Sequence, residues 1–522
     1  MNTAEFLSIS SAIVPERIAI TTTNEKINYS DLQSRVNKVA NSLSTLGVKK
    51  GKNVGIMAVN CAEMVVLYYA TASLGATFVP LNYRSKTEEL EYMINAADIS
   101  VLFVSERYFE IYQKISGNLS TIDHVVSLGF DSENHQSYNN LIDSGEDIPV
   151  FTDIDDEDAT LIIYTSGTTS LPKGVVLSYK ALTALVVNTQ SPADPISDQE
   201  VILVSVGFYH IAGATTLMSA IFSGRQLVLL DGFSPADWLD AVESNKVTHA
   251  FVVPTMLKRI MEVEDFEKRD FSSLKLITYG AAPMPYDVVK EAVKLFAPSK
   301  ADVGLMNAYG QTEATGSMTF LGPDDHRMEE SDEDHSKKLE RLRSVGKPMP
   351  DIEIGILNPN GDVLSENEEG EICIRGERIM KGYKDRDDDT GSAIQGGWLH
   401  TGDVGKLDED NYLFITGRIK DMIIRGGENI APAEIEQVLE EHESIAEAAV
   451  IGIEDNDWGE IIKAVVINSS DNKPSYDELT AFVKTKLASY KAPASYEWVT
   501  DLPRNHMGKV LKNELRELYN KK

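Results

Sequence analysis

Residues Tyr164–Gly174, YTSGTTSLPKG, crowd hydroxyl side chains, two glycines and one lysine into a single loop. Backbone N–H groups of a glycine-rich turn, hydroxyls and an ammonium group are the donors that bind phosphate oxygens. Glycine lets the backbone approach a ligand without Cβ in the way. The pattern departs from GxxxxGK[ST], since Gly174 rather than a hydroxyl residue follows Lys173. Taken alone, the stretch reads equally as a phosphate cradle or a surface loop. Three further stretches carry reactive residue types. NAYGQTEATG, Asn307–Gly316, sets an aromatic ring, a hydroxyl and a carboxylate within five residues. WLHTGD, Trp398–Asp403, precedes TGRIKDMIIRGGENIAPAEIE, Thr416–Glu436. LPRNHMGKVLK, Leu502–Lys512, holds Lys509 behind a glycine.

These stretches need a scaffold, and the hydrophobic pattern describes one. The apolar run ATLIIY from Ala159 has strand length and leads directly into the first loop, as ligand loops do in open α/β sheets. In YSDLQSRVNKVANSLSTLGVKKG, Leu32, Val36, Val39, Leu43 and Leu46 recur at helical intervals. Ser30 and Gln33 have capping-box spacing, and Gly47 can close the helix. The buried strand NVGIMAV, the helix AEMVVLYYATASLGA and the strand TFVPLN follow. The alternation continues through HVVSL, TLIIY, RQLVLL, THAFVVP and LKLITYG, which predicts an α/β fold with mostly parallel sheets flanked by helices. Near residue 345 the texture changes. IEIGILNPNGDVL and GEICIRG read as the two arms of a hairpin about an Asn-Gly turn, so a small β-rich section follows the α/β part. About 100 further residues have strands and helices of their own, among them EIEQVLEEH and YDELTAFVKTKLASY, enough for a small α+β domain. The boundary is placed at Arg418–Asp421, dividing the chain into 1–418 and 419–522.

Composition narrows the function. The 522 residues include 81 acidic and 49 basic ones, a formal charge of −32. Such a surface repels nucleic acid and anionic lipid, so neither is expected as a partner. An anionic substrate must be held by local cations against this field. Acidic runs such as Asp153–Asp158 read as solvated face or linker. No apolar run reaches about 18 residues, so no integral membrane segment is expected. The start lacks a basic region followed by an apolar stretch, so no secretory leader is read and a cytoplasmic location is expected. The two cysteines, Cys61 and Cys373, read as apolar filler. The nine histidines show no HExxH spacing and no cluster with cysteines, and His326–His335 reads as a solvated acidic loop.

The four reactive stretches, in this order and spacing, resemble the adenylate-forming ligases: acyl-CoA synthetases, firefly luciferase and the adenylation domains of peptide synthetases. The likeness spans nearly the whole chain and is nearest to bacterial fatty acyl-CoA synthetases. It implies a large N-terminal domain and a small C-terminal domain that rotates over it. It implies attack of a carboxylate on the α-phosphorus of ATP, release of pyrophosphate, and displacement of AMP by the thiol of coenzyme A. Negative charge accumulates in both steps, so placed cations and dipoles should dominate the catalysis.

The resemblance also assigns roles. Thr165, Ser166, Gly167, Thr168, Thr169 and Lys173 would hold the β- and γ-phosphates. Thr312 would meet the α-phosphate, and Glu313, with Thr168, would hold Mg²⁺. Tyr309 would stack on adenine, with Asn307 and Gly310 beside it and Gly280, Ala281 and Ala282 forming the other wall. Asp403 and Arg418 would hold the ribose. Lys509 would bridge substrate carboxylate and α-phosphate, and His210 would gate the acyl pocket. Lys420 would lie at the hinge, and Gly426 and Gly427 would line the pantetheine tunnel. Ser170 stands where the family has glycine, at a cost of about 1 kcal/mol if φ is positive there. Small apolar positions near the acyl pocket (Ile211, Ala212, Gly213, Ala281, Ala282, Gly316) suit an uncharged tail. A medium-chain fatty acid is the first expectation; long-chain, aromatic and thioether acids stay open. So do loading of a carrier protein, a non-catalytic nucleotide- or acyl-binding role, and a homodimer.

Overall fold

The computed structural model describes residues 2–520 apart from 133, 166–170, 283, 298–300, 328–334, 456, 470–472 and 505–509. The predicted alternation of helix and strand becomes two large sheets. In one, the strands run Lys347–Pro348, Gly316–Leu321, Gly304–Gln311, Leu276–Gly280, His249–Val252, Val201–Val204, Gln226–Leu229, Ile18–Thr21 and Lys26–Asn28. Pairing is parallel from Gly304–Gln311 to Ile18–Thr21 and antiparallel at both edges. The other sheet runs Gly382–Tyr383, Lys173–Ser178, Ala159–Thr165, Thr77–Pro80, Asn53–Met57, Ile99–Ser105, His124–Leu128 and Gln136–Ser137. It too is parallel except at the end that carries Lys173.

Helical periodicity is turned into packing as expected. In helix Tyr29–Thr45, Leu32, Val36, Val39 and Leu43 are buried in a core that also takes Val54, Ile202 and Leu227 from the two sheets. Burying one such side chain stabilises the fold by about 1.5–3 kcal/mol. Helix Ala62–Ser73 is buried on nearly all sides, so its sequence is apolar throughout. One detail corrects the sequence reading. The cap of the first of these helices is Asn28, whose side chain accepts the Asp31 N–H at 2.7 Å, not Ser30. Asn28 ends the strand Lys26–Asn28, so the chain turns straight from sheet into helix and the helix starts before the capping-box residue. Gly47, at φ 83°, ends the helix as predicted.

The β-rich section is an antiparallel sheet of Ile352–Leu357, Gly370–Gly376, Trp398–Leu407, Ile394–Gln395 and Leu413–Arg418. The predicted hairpin forms with Ile352 opposite Gly376 and Leu357 opposite Glu371. Beyond the short turn Ile419–Asp421, a last sheet of Ile423–Arg425, Glu428–Ile430, Ile445–Asp455, Gly459–Asn468 and Ser495–Val499 carries helices Pro432–Glu440, Tyr476–Lys486 and Lys512–Asn520. Ile435, Leu439, Val450, Ala464 and Leu479 form a core of its own there. No helix among the described residues is long and apolar enough to cross a membrane.

Candidate active site

Lys173 opens the returning strand Lys173–Ser178, paired antiparallel with Ala159–Thr165, so the first reactive stretch begins and ends on two paired strands. The sequence reading had the strand before the loop and not the one after it. Thr165 ends the outgoing strand, and its hydroxyl donates to the Lys173 carbonyl at 3.5 Å. Ser166, Gly167, Thr168, Thr169 and Ser170 lie outside the described residues, as does Lys509. Lys173 Nζ is 2.6 Å from Asp389 Oδ1 and 5.0 Å from the centroid of the Tyr383 ring. The Tyr383 hydroxyl donates to Glu313 Oε1 at 2.9 Å. Lys173 and Glu313, 140 positions apart in the chain, are therefore linked through the segment 382–390.

Glu313 sits on the short turn Thr312–Ala314, between strands Gly304–Gln311 and Gly316–Leu321. The turn is held by its backbone: the Met380 N–H donates to the Glu313 carbonyl and the Thr315 N–H to the Thr312 carbonyl, each at 2.9 Å. Thr315, at φ 58°, takes a left-handed conformation unusual for a β-branched residue. Its buried hydroxyl is bonded to the Arg378 carbonyl at 2.5 Å, which fixes that conformation. Burial pushes the Glu313 carboxyl up; the Tyr383 hydroxyl and the charges of Arg418 and Lys173 pull it back.

On strand Gly304–Gln311, four positions before Glu313, the Tyr309 hydroxyl donates to Asp403 Oδ2 at 2.7 Å. Arg418 Nε donates to Asp403 Oδ1 at 2.6 Å. Asp403 and Arg418 are direct cross-strand partners, so sheet register sets their geometry. Burial and then the Asp403 carboxylate hold the Tyr309 phenol well above its ordinary range. Gly280 pairs with Ala308 across the parallel sheet, and a Cβ there would meet the Ala308 carbonyl oxygen at 2.1 Å. Asn307 pairs with Tyr279 in the same register. Ala281 follows at φ 69°, a strained conformation at the end of strand Leu276–Gly280, and Ala282 comes next in the chain. Gly310 adjoins a β-bulge after Tyr309, and its missing Cβ makes room for the Gly316 carbonyl.

His210 is the N-cap residue of helix Ile211–Phe222, its ring 4.2 Å from that of Tyr209, which packs edge-on against Tyr83. Gly213 lets this helix lie against the Gly207 carbonyl. A Cβ on Gly316 would reach Thr215 at 3.6 Å and Ile211 at 3.8 Å, so helix Ile211–Phe222 flanks the start of strand Gly316–Leu321. Lys420 is exposed on the turn Ile419–Asp421. Gly426 and Gly427, at φ 60° and 88°, form a two-residue hairpin turn, and Trp458 covers Gly426.

The sequence reading missed Tyr383, Asp389 and Arg386, whose Nη1 is 3.3 Å from Asp389 Oδ2. Their signal is the run GYKDRDDDT, in which an acidic cluster directly follows a glycine–tyrosine pair; charge runs are so often solvated faces that it was not singled out. Two further readings are corrected. The fold brings a histidine to a cysteine: His400 pairs across strands with Cys373 and lies 3.4 Å from its sulfur, while its Nδ1 is 2.7 Å from Glu371 Oε2. Sequence spacing hides this because the partners meet through sheet register. His326, read as part of a solvated loop, is buried; its Nδ1–H donates to the Gly322 carbonyl and its Nε2 accepts from the Tyr279 hydroxyl.

The family model and the relatives below make the chain an AMP-forming acid–thiol ligase of the ATP-dependent adenylating kind. The chain belongs to the AMP-binding enzyme family, whose model matches residues 9–384; the model of the AMP-binding enzyme C-terminal domain matches 434–509. It is 32% identical over 507 residues to a feruloyl-CoA synthase from an Amycolatopsis species, covering 97% of this chain and 96% of the relative. Among solved structures, o-succinylbenzoate CoA synthetase from Bacillus subtilis, in complex with its acyl-adenylate intermediate, is similar at a TM-score of 0.81, 29% identity and 98% coverage of both chains. The amide bond synthetase McbA from Marinactinospora thermotolerans is similar at 0.87, with 27% identity, 99% of this chain and 100% of that one.

Proposed function

We propose that this protein joins a carboxylic acid with an uncharged, ring-bearing tail to coenzyme A, through an acyl adenylate formed from ATP. The observation that carries this reading is the Tyr309–Asp403–Arg418 cluster, with Tyr309 on strand Gly304–Gln311 three and four residues before Thr312 and Glu313 of the turn that follows. A ribose bonded to Asp403 and an adenine on the Tyr309 ring would direct the phosphates toward Thr312 and on to Thr165, Lys173 and the loop between them. Glu313 fits Mg²⁺: desolvation pushes its half-buried carboxyl toward neutrality, and a hard divalent cation on its second oxygen would relieve that cost. Thr168 completes the proposed metal set. Lys509 is the cation for the first half-reaction, arriving from the 419–522 domain, which rotates relative to 1–418 about Lys420. Gly426 and Gly427 then line the path of the thiol.

The acyl end supports a ring. Tyr83, Tyr209 and His210 form a run of aromatic faces and edges beside the helix Ile211–Phe222. Such edges favour an aromatic partner by about 0.5–1.5 kcal/mol over area alone. The feruloyl and o-succinylbenzoate relatives act on ring-bearing acids, which agrees. A medium-chain fatty acid is the second reading, favoured by the small or apolar side chains of Ile211, Ala212, Gly213 and Gly316. The enzyme is taken to be cytoplasmic, and gel filtration separates monomer from homodimer. A panel of aryl, arylalkanoic and C6–C12 acids, assayed for AMP release with and without coenzyme A, tests the reading. Release with a ring acid that needs coenzyme A supports it. Release that needs a carrier protein or an amine instead assigns another acceptor.

A further inference from the structure

Lys173 does not wait for phosphate with an empty hand. Its ammonium group lies 2.6 Å from Asp389 Oδ1, with the side chain 17% exposed. Asp389 projects from helix Asp387–Ala393, which is tied back when the Thr390 hydroxyl accepts the Tyr383 N–H at 2.9 Å. The other carboxylate oxygen faces Arg386 Nη1 at 3.3 Å, and Arg386 Nη2 in turn donates to the Tyr92 hydroxyl at 2.9 Å. Lys173 first, and Arg386 after it, hold the Asp389 carboxyl below the usual carboxylate range.

We propose that Asp389 is an internal stand-in for phosphate: in the nucleotide-free enzyme its carboxylate occupies the anion-binding side of Lys173, and the triphosphate enters by displacing it. The inference rests on the reading that Lys173 binds the β- and γ-phosphates. Two anions within hydrogen-bond reach of one ammonium group repel each other, and with Lys173 17% and Asp389 36% exposed water screens that repulsion only in part. Arg386 gives the displaced carboxylate a second partner, so displacement leaves no charge stranded. When pyrophosphate departs, Asp389 returns. The latch thus weakens the grip on both the entering triphosphate and the leaving pyrophosphate, while keeping the long Lys173 side chain ordered between turnovers.

The test is the equilibrium affinity for Mg·ATP and for Mg·pyrophosphate, measured by calorimetry without any acid substrate. Asp389→Asn should tighten both by about three- to tenfold, the range spanned by exposed and half-buried ion pairs. Asp389→Ser should do the same, and Asp389→Glu should return affinity toward wild type. Asp388→Asn, which removes one charge from the same helix, should leave affinity within about twofold. In a Lys173→Ala background Asp389→Asn should give no gain, since the two residues act as one unit. Unchanged or weaker binding in Asp389→Asn and Asp389→Ser, or equal tightening in Asp388→Asn, would overturn the proposal. Failure of the functional reading is separate: it shows as no AMP from wild type with any acid, whatever the ATP affinities of the variants.

Discussion

Asp403→Asn keeps the shape of the side chain and removes its charge, which isolates what the carboxylate does. In the wild type it accepts from Tyr309 at 2.7 Å and from Arg418 at 2.6 Å, with side-chain exposures of 12% for Asp403 and 31% for Arg418. Breaking a fully buried ion pair costs about 3–5 kcal/mol, and breaking an exposed one at most about 1. The partial exposure here sets the cost at about 1–3 kcal/mol. The pair joins two adjacent strands, so the first effect is on stability, a fall in Tm of about 1–4 °C for a unit of this size. The second is on nucleotide. Asparagine has one acceptor oxygen where aspartate has two, and a hydrogen bond to a charged group is worth about 1.5–3 kcal/mol. Loss of one such bond to ribose weakens ATP about 10- to 100-fold. Calorimetry with ATP and with adenosine makes the decision. The loss should be of similar size for both, because the ribose is common to them. A lower Tm with unchanged affinity for both would refute the reasoning and leave Asp403 a strand clamp.

Glu313 is raised by burial, so its ionisation costs stability increasingly as pH rises above its ordinary value of 4.5. Glu313→Gln should therefore raise the Tm of the nucleotide-free protein by about 1–3 °C near pH 8 while lowering adenylate formation at least about 100-fold; scanning calorimetry and pyrophosphate release check the two halves. Glu440, on helix Pro432–Glu440, is pushed up to about 8, first by burial, then by Glu436 and Glu447, against the Ala448 N–H. A raised carboxyl stabilises fully below 4.5 and loses that contribution as pH climbs through 8, so Glu440→Gln should flatten the decline of Tm across that window. Lys509→Ala should abolish adenylate formation while leaving thioester synthesis from supplied acyl adenylate, a split that single-turnover assays of each half-reaction resolve.

Much of the scaffold was legible because its elements obey local rules. The period of Leu32, Val36, Val39 and Leu43 decided a helix, and the alternation in Ile352–Leu357 decided a hairpin arm. The pairing of Tyr309 with Asp403 is not local. It arises because a strand of one sheet and a strand of another converge, which no spacing along the chain encodes. The same holds for the cross-strand meeting of Cys373 with His400, and for Asp389 against Lys173, 216 positions apart. The Asn28 cap was missed for the opposite reason. Asn28 and Ser30 both satisfy the residue preference, and the end of the preceding strand decides between them.

The central claim is that ATP is split between its α- and β-phosphorus atoms by an attacking carboxylate. Phosphorus NMR of a mixture of enzyme, Mg²⁺, ATP, coenzyme A and a turned-over ring acid measures this directly. Equal amounts of AMP and pyrophosphate, appearing only when the acid is present, are the predicted result; ADP with inorganic phosphate, or AMP formed without acid, would contradict it.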